Sequence, residues 1–272
     1  MKVKQLSHGG KAGLIIMTVF ALMAVFGTYI SPYDPGEINL ENALKPPHST
    51  HLLGTDENGG DILSLVLTGA KTGFWVSTVT VLWGLFFGGI IGAVAGYKRG
   101  ITDQILMRTV DIVFSFPGLL LNLYVLSLVK QPTHLHMIFA LSITSWASFA
   151  RLSRGTALAV SNLDFIKALE IMGASPNRII FRHIIPNILP NLLVQFSFSF
   201  ATYLLVEAGL AFLGLAPPEP SWGNLIAQGT SYLLVAPHMV IIPGIFLGIC
   251  AVGANLLGDA LRDISGNTTS TE

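Results

Sequence analysis

Six stretches of this chain are long enough and apolar enough to cross a lipid bilayer. They lie near 12–30, 73–97, 111–129, 136–150, 188–215 and 238–257, and each is almost free of Asp, Glu, Lys and Arg. A membrane-spanning helix needs about 20 mainly apolar residues, so the short fourth stretch is expected to extend as a helix to about Leu158. Only 11% of the residues are charged, against about 25% in soluble domains. The sequence therefore predicts an all-α integral membrane protein with six transmembrane helices.

The first apolar stretch follows several lysines, as the core of a secretory signal peptide does. The apolar run is long, however, and no small-residue cleavage site precedes the sequence SPYDP at 31–35. We interpret it as a retained transmembrane helix.

Lys and Arg residues are distributed unevenly between the two sides of the predicted bundle. If the N-terminus is inside, all of the 15 Lys and Arg residues except Lys45, Lys71 and Lys130 lie on the cytoplasmic side. Cytoplasmic loops of membrane proteins carry the excess of positive residues. Both termini are therefore predicted to be cytoplasmic, together with the charged stretch KALEIMGASPNRIIFRHIIPN at 167–187.

The segment that leads into this charged stretch has the pattern of a short amphipathic helix. A capping box in SNLD, residues 161–164, is expected to begin the helix, and Met172 to end it. Phe165, Leu169 and Met172 fall on one face at helical spacing, which predicts an apolar side. The polar residues turned away from that face are Lys167 and Glu170.

A sharp corner is predicted immediately after this helix. Gly173 suits the left-handed conformation that ends a helix, while Ser175 and Pro176 suit the N-cap and first position of the next one. Ile180 and Ile184 lie one turn apart on the apolar side of that second helix. The residues expected to end it and to begin the fifth span are Pro186 and Pro190.

Physical chemistry alone leaves two interpretations of this helix–corner–helix element. It is either an interfacial helix on the inner leaflet, with its basic groups near anionic lipid, or a docking element for the groove of a soluble partner.

The spacing of the element resembles the "EAA" loop of ABC-importer permeases, which reads Glu-Ala-Ala, three residues, Gly, nine residues, Ile-x-Leu-Pro. Gly173 and Pro186 stand at the matching positions. The residues that depart from the pattern are Lys167 for the glutamate, Leu169 for the second alanine, and His183 and Ile185 for the later Ile and Leu.

Segments along nearly the whole chain are similar to the dipeptide, oligopeptide and nickel branch of that family, in the second permease of each pair. They are GASPNRIIFRHIIPN (173–187), LLGTDENGGDILS (52–64), RTVDIVFSFPGLLL (108–121), WASFARLSRG (146–155), EAGLAFLGLAPPEPSWGN (207–224) and NLLGDALRD (255–263). Gly60 stands where the family usually has arginine. The resemblance implies the type I ABC importer permease fold and a multi-pass protein of the bacterial plasma membrane.

The resemblance also implies partners for this chain. These are a homologous second permease in a heterodimer, two cytoplasmic ATP-binding subunits that hold ATP and Mg, an extracytoplasmic substrate-binding protein and membrane lipid, with no nucleic acid. The corner becomes a coupling helix that docks on an ATPase subunit. Its candidate residues are Lys167, Ala168, Glu170, Gly173, Ala174, Ser175, Pro176 and Arg178. Docking of the binding protein is expected on the 31–71 loop and on 217–237, where the candidates are Trp222 and Tyr232.

No catalytic motif is visible, so the chain is expected not to be an enzyme. GAKTG at 69–73 lacks the glycine before lysine that a phosphate-binding loop requires. DENGGD at 56–61 lacks two calcium ligands of an EF-hand and predicts a capped turn before the second span. Neither a Ser-His-Asp set nor an HExxH run is present, and no resident cofactor or metal is predicted.

Two polar features inside the spans have more than one interpretation. Glu207 either contacts a substrate's ammonium group along the translocation path or acts as a structural hydrogen-bond hub. Asp111, at the edge of the third span, is expected to cap a helix or to pair with a cation. Gly84, Gly88 and Gly92, with Gly96 in the same spacing, predict a close helix contact.

The favoured function is a permease subunit of an ATP-driven importer of di- or oligopeptides. A permease for nickel or a metal chelate is the first alternative, because imidazole suits nickel and the histidines expected on the outer face are His48, His51, His134, His136 and His238. A proton-coupled secondary transporter with Glu207 as carrier and an interaction-only membrane subunit are the others. The predicted divisions are an N-terminal helix and loop (1–71), a permease core (72–265) and a polar tail (266–272).

Overall fold

A computed structural model describes residues 7–268 of the chain. Within these residues the fold is helical, and the only β-pairing is an isolated bridge between Thr55 and Asp61. Lys2, Lys4 and residues 269–272 of the predicted tail lie outside the described residues. The helices are α1 His8–Ile30, α2 Ile62–Trp83, α3 Gly89–Lys98, α4 Gly100–Phe114, α5 Gly118–Ser127, α6 His134–Ser161, α7 Asp164–Ile171, α8 Pro176–Ile179, α9 Ile185–Phe212, α10 Trp222–Thr230 and α11 His238–Thr268.

Five helices in the described part of the chain are long and apolar enough to cross a membrane. They are His8–Ile30, Ile62–Lys98, His134–Ser161, Pro176–Phe212 and His238–Ile264. The predicted third span, 111–129, is not one straight helix, because α4 and α5 are bent by 78° across a break between Phe114 and Gly118. Pro117 explains the bend, since it has no N–H and disfavours helical backbone at the residue before it.

Two predicted spans begin ten or more residues before their apolar windows. The second begins at Ile62, because the Asp61 side chain accepts the backbone N–H of Ser64 at 2.9 Å and caps α2. The fifth begins at Pro176, so the prediction that Pro186 and Pro190 separate two helices is wrong. A π-helical turn at Ile180–Ile184 shifts the hydrogen-bond register just before Pro186 and carries the helix through it.

The glycine seam, formed by Gly84, Gly88, Gly92 and Gly96, packs directly against α6. A side-chain carbon at Gly88 or Gly92 would overlap the carbonyl oxygen of Trp146 or Ala150. The close approach also lets Ser153 Oγ donate to the Gly89 carbonyl at 2.6 Å. The predicted small-residue contact is confirmed.

Charged pairs fix α4 to α6 at the predicted cytoplasmic end. Arg154 holds Asp103 through two hydrogen bonds of 2.6 Å each. Arg151 pairs with Asp111 at 3.0 Å, which confirms that Asp111 has a cationic partner.

The segment between α1 and α2 folds compactly on the predicted extracytoplasmic side. Asp56 accepts the backbone N–H groups of Asn58 at 2.9 Å and Gly60 at 2.7 Å, so the predicted capped turn is confirmed. Burial raises the pKa of the Asp56 carboxyl, and these N–H groups offset part of that rise.

The glycine seam generates a test of the packing. Gly88→Ala is expected to destabilise the protein by about 1–3 kcal/mol, because the new methyl group overlaps the Trp146 carbonyl of α6. Gly89→Ala is the matched control, since its methyl group would meet only Leu192 at an ordinary 3.4 Å. Thermal unfolding of the detergent-purified protein measures both, and equal melting temperatures would contradict the packing argument.

Candidate functional site

The corner, defined as residues 164–185, is built by a helix end followed directly by a helix start. Gly173 has a φ of +79°, as predicted, and its N–H bonds the Glu170 carbonyl at 3.0 Å. The next N–H, that of Ala174, bonds the Leu169 carbonyl at 3.0 Å, which completes a Schellman motif. Ser175 then accepts the backbone N–H of Arg178 at 3.4 Å and caps the helix that follows.

The predicted capping box at 161–164 is wrong. Ser161 is still part of α6, where its hydroxyl donates to the Ala157 carbonyl at 2.6 Å, and Leu163 occupies the N-cap position of α7. The Asp164 carboxylate instead pairs with Lys167 at 3.1 Å. A Ser/Thr hydroxyl near a helix C-terminus readily bonds the carbonyl four residues back, which removes it from the next helix start.

The face of α7 that packs on the bundle also differs from the prediction. Ile166 is buried, Leu169 is half-buried, and Phe165 and Met172 are exposed. The connection between α6 and α7 is only two residues long, so its geometry rather than the count of apolar residues sets the rotation of α7. The buried anchors of the second arm are Ile179, Ile180 and Ile184.

The structure brings the candidate coupling residues together on one surface. Ala174 is half-buried, and the exposed ones are Lys167, Ala168, Glu170, Gly173, Ser175, Pro176 and Arg178. Two apolar side chains lie on the same surface. Met172, which was predicted to face inward, is 72% exposed, and Ile171, which was not predicted to be part of the site, is 88% exposed. The corner therefore presents an apolar patch edged by charges, as surfaces that bind another protein do.

Glu207 lies inside the bundle on α9 and is 1% exposed. Its Oε1 atom has no hydrogen-bond partner among residues 7–268. The interpretation of Glu207 as a hydrogen-bond hub is therefore wrong. Its carboxylate lies against α2, where a side-chain carbon at Gly73 would be 3.5 Å from Oε2.

Trp222 is a core residue rather than a surface one. It is 2% exposed, its ring stacks on Phe20 with centroids 5.1 Å apart, and its Nε1 donates to the Val66 carbonyl at 2.9 Å. It cannot contact a docked protein from this position, which corrects its assignment as a docking candidate. Tyr232 is half-buried. The apolar side chains exposed next to it are Leu233, Leu234 and Val235.

The histidines on the predicted outer side have separate partners. His51 Nδ1 lies 3.0 Å from an Asp61 carboxylate oxygen, and His238 Nε2 lies 3.1 Å from the Thr55 carbonyl oxygen. His134 lies 3.3 Å from Glu219. Within the described part of the chain, no group of three or more His, Cys, Asp or Glu side chains is arranged to hold a metal ion.

Comparison of the sequence with known protein families identifies the family of this chain. Residues 88–270 match the family model described as "Binding-protein-dependent transport system inner membrane component". The chain belongs to this family. Residues 7–47 also match the N-terminal transmembrane domain of oligopeptide transport permease C.

Several curated relatives cover most of the chain. The oligopeptide transport system permease protein OppC of Bacillus subtilis is 37% identical over 254 residues, which is 92% of this chain and 83% of the relative. The glutathione transport system permease protein GsiD of Pectobacterium atrosepticum is 36% identical over 93% of this chain and 84% of its own length. The dipeptide transport system permease protein DppC of Haemophilus influenzae is 33% identical over 94% of this chain and 90% of its own length.

A solved structure shares the fold. An inward-facing form of the MetNI methionine ABC transporter superposes with a TM-score of 0.63, covering 75% of this chain and 97% of that chain at 18% identity. The all-helical architecture is therefore that of an ABC importer permease of the inner membrane.

The burial of Trp222 generates a test. Trp222→Ala is expected to destabilise the protein by about 3–5 kcal/mol, because it empties a packed site beside Phe20. Leu234→Ala is the matched control, since Leu234 is 98% exposed and its truncation leaves no cavity. Thermal unfolding in detergent measures both. An unchanged melting temperature for Trp222→Ala would return Trp222 to the list of docking candidates.

Proposed function

We propose that this chain is one of two homologous permeases in a bacterial importer of di- or oligopeptides. In this proposal six spans cross the membrane, α4 and α5 together forming the third, and both termini are cytoplasmic. Residues 1–71 form an N-terminal helix and loop, and 72–265 form the permease core. The observation that carries the proposal is the exposed corner of residues 164–185, built at the spacing of the EAA loop in a chain of this family.

The corner is the proposed contact with a cytoplasmic ATPase subunit. ATP and Mg bind in two such subunits, and this chain performs no chemistry. ATP drives transport only through its different affinity for the inward-open and outward-open states. Closure of the ATPase pair moves the two corners together, and hydrolysis resets them.

The continuity of the helix Pro176–Phe212 supports this coupling. Its first turn is the second arm of the corner, and its later turns carry Tyr203 and Glu207 inside the bundle. A displacement of the corner therefore reaches the interior along one helix, through the π-helical turn at Ile180–Ile184. Ile179, Ile180 and Ile184 pack that helix against its neighbours, so the arm does not move independently of the bundle.

The peptide substrate is supported by the relatives named for oligopeptide, dipeptide and glutathione transport. His51, His134 and His238 have carboxylate or carbonyl partners and His136 contacts Thr133, so no observation favours nickel. The extracytoplasmic binding protein is proposed to dock on 31–71 and around Tyr232, to which the exposed turn at Leu233, Leu234 and Val235 is added. Glu207 stays a candidate for the translocation path.

Uptake of a labelled tripeptide and of nickel, measured side by side, tests the proposal. Cells carry the native partner subunits and this chain as wild type, deleted or Gly173→Trp. We expect deletion to abolish tripeptide uptake and leave nickel uptake unchanged. Gly173→Trp should do the same, because the large ring stands on the docking surface and the φ of +79° strains any residue other than glycine.

Gly214→Trp is the control for the corner variant. Gly214 has a φ of +77°, and as at Gly173 an added side-chain carbon would have no atom of the described residues within 4 Å. Gly214 follows the C-terminal end of α9, whereas Gly173 precedes the helix that leads into α9. Co-purification of the ATPase subunits should fail for Gly173→Trp alone. Normal uptake in that variant would refute the coupling role, and loss of nickel uptake alone would refute the peptide substrate.

Lys167 is expected to contribute little to ATPase docking. Its pair with Asp164 is within α7 and solvent-exposed, so the charge is already screened. Lys167→Ala should weaken co-purification of the ATPase by about threefold at most, with a larger effect at low salt. A salt titration of co-purification checks this, and complete loss of assembly would mean that Lys167 is buried in the docked state.

A further inference from the structure

A cavity lies between α1, α2 and α6, next to the loop that joins α9 to α10. This outer cavity has a volume of about 370 Å³. Its wall includes Thr28, Lys71, Trp75, His134, Ile138 and Glu219.

Three helices place the outer cavity at the edge of the predicted lipid layer. Lys71 lies two residues before the second apolar window begins at 73, and His134 lies two residues before the fourth begins at 136. Thr28 lies two residues before the first window ends at 30. Since a helix rises about 1.5 Å per residue, each position is about 3 Å from the end of its window. The outer cavity is therefore at the depth of the phospholipid headgroups on the predicted extracytoplasmic side.

The outer cavity contains one positive and one negative side chain that do not pair with each other. Lys71 is exposed and forms no ion pair with a carboxylate among residues 7–268. The Glu219 side chain is 64% exposed, and its Oε2 lies 3.3 Å from His134 Nε2. A free cation and an accessible carboxylate in one cavity are complementary to a ligand that carries both an anionic and a cationic group.

Hydrogen bonds hold the loop that carries Glu219 in place. The Asn224 side-chain amide donates to the Pro217 carbonyl at 3.0 Å and to the Glu219 carbonyl at 3.1 Å. The Thr72 hydroxyl of α2 donates to the Pro220 carbonyl at 3.2 Å. The Glu219 carboxylate is therefore presented at a fixed place beside α2.

The face of α2 that carries Lys71 is apolar and exposed further into the predicted lipid layer. Trp75, Val79 and Leu82 follow Lys71 at spacings of four, four and three residues, which places them on one side of the helix. They are 47%, 39% and 48% exposed. Tryptophan is enriched where a bilayer meets water, and a lysine near the membrane surface attracts anionic lipid groups. The outer cavity thus continues into an apolar strip, Trp75 to Leu82, that suits a hydrocarbon chain.

Charge and apolar surface together select one class of ligand. A peptide has an ammonium group and a carboxylate, but it has no hydrocarbon chain to cover the apolar strip. The phosphate of an anionic phospholipid suits Lys71, but its headgroup offers no cation to Glu219. Phosphatidylethanolamine has a phosphate for Lys71 and a primary ammonium group that donates hydrogen bonds to a carboxylate. The trimethylated ammonium group of phosphatidylcholine has no N–H to donate.

We infer that the outer cavity binds a phospholipid with a primary ammonium headgroup, as in phosphatidylethanolamine, from the extracytoplasmic leaflet. Lys71 binds the phosphate, Glu219 binds the ammonium group, and an acyl chain lies along the apolar strip. The bound headgroup bridges α2 and the loop that follows α9. This inference goes beyond the proposed function, since it does not depend on which solute is transported.

Native mass spectrometry of the complete importer, purified in detergent with its partner subunits, tests the inference. Phosphatidylethanolamine, phosphatidylglycerol and phosphatidylcholine with identical acyl chains are titrated separately. We expect phosphatidylethanolamine to bind at least about fivefold more tightly than the other two, because it alone forms charge-assisted hydrogen bonds with both side chains.

Two variants remove the charges one at a time. Lys71→Ala should weaken the binding of phosphatidylethanolamine and of phosphatidylglycerol about fivefold each, since both lose the partner of their phosphate. Glu219→Gln should weaken phosphatidylethanolamine alone, which abolishes its preference over phosphatidylglycerol. Both side chains are exposed, so neither substitution disturbs the packed bundle.

Lys45→Ala and Glu41→Gln are the matched controls. Both residues are exposed in the segment between α1 and α2, on the same predicted side of the membrane, and neither lines the outer cavity. Their affinity for phosphatidylethanolamine should equal that of the wild type.

Equal affinity of the wild type for the three lipids would overturn the inference. Losses in the control variants as large as those in Lys71→Ala and Glu219→Gln would overturn it as well. Displacement of phosphatidylethanolamine by excess tripeptide would assign the outer cavity to a solute instead of a lipid. The uptake experiment does not depend on these results, so failure of the lipid site and failure of the proposed function are distinguished.

Discussion

The requirement that backbone polar groups find partners away from water governs this structure. Within a bilayer only continuous helices satisfy it locally, which explains why the described part of the chain is mostly α-helical and why residues 31–61, predicted outside the lipid, contain only a short 3-10 turn at Leu40–Asn42. The same constraint distinguishes the places where the backbone departs from a regular α-helix. At Gly84–Gly88 and Ile180–Ile184 the helices only shift register, whereas between Phe114 and Gly118 the helix breaks and leaves both N–H and carbonyl groups without backbone partners among residues 7–268.

Close packing makes the bundle rigid enough to transmit a displacement. The glycine seam brings α6 onto the helix that ends at Lys98, and Arg154 of α6 with Asp103 fixes α4 to α6. α6 also leads directly into α7, while the other arm of the corner is the start of the helix ending at Phe212. The corner is thus held by two long helices, which together with the break between α4 and α5 line a cavity of about 230 Å³. A contact made at Gly173 by a soluble partner can therefore bias the interior, provided that the partner binds the two states with different affinity.

Much of the corner could be predicted from local chemistry, and its orientation could not. Gly173, Ser175 and Pro176 adopt the expected conformations because each is governed by its own backbone preferences and nearest neighbours. The inward face of α7 was predicted wrongly, since its rotation depends on the two-residue connection to α6. Ser161 failed as a cap for a similar reason, because α6 extends far enough to use its hydroxyl. Trp222 was assigned to a docking surface because tryptophan is enriched at interfaces, yet Phe20 of a distant helix covers it.

The sequence by itself determined that this is a membrane protein of apolar helices, where most of the helices lie, and that a polar corner separates two of them. Those properties follow from hydropathy and from interactions between residues a few positions apart. Only the tertiary structure decided that Glu207 is buried with no partner for its Oε1 among residues 7–268, that Trp222 belongs to the core, and that Asn122, Thr144 and Tyr203 line one cavity with the start of α5. These are contacts between helices far apart in sequence, and no local pattern encodes which helix face meets which.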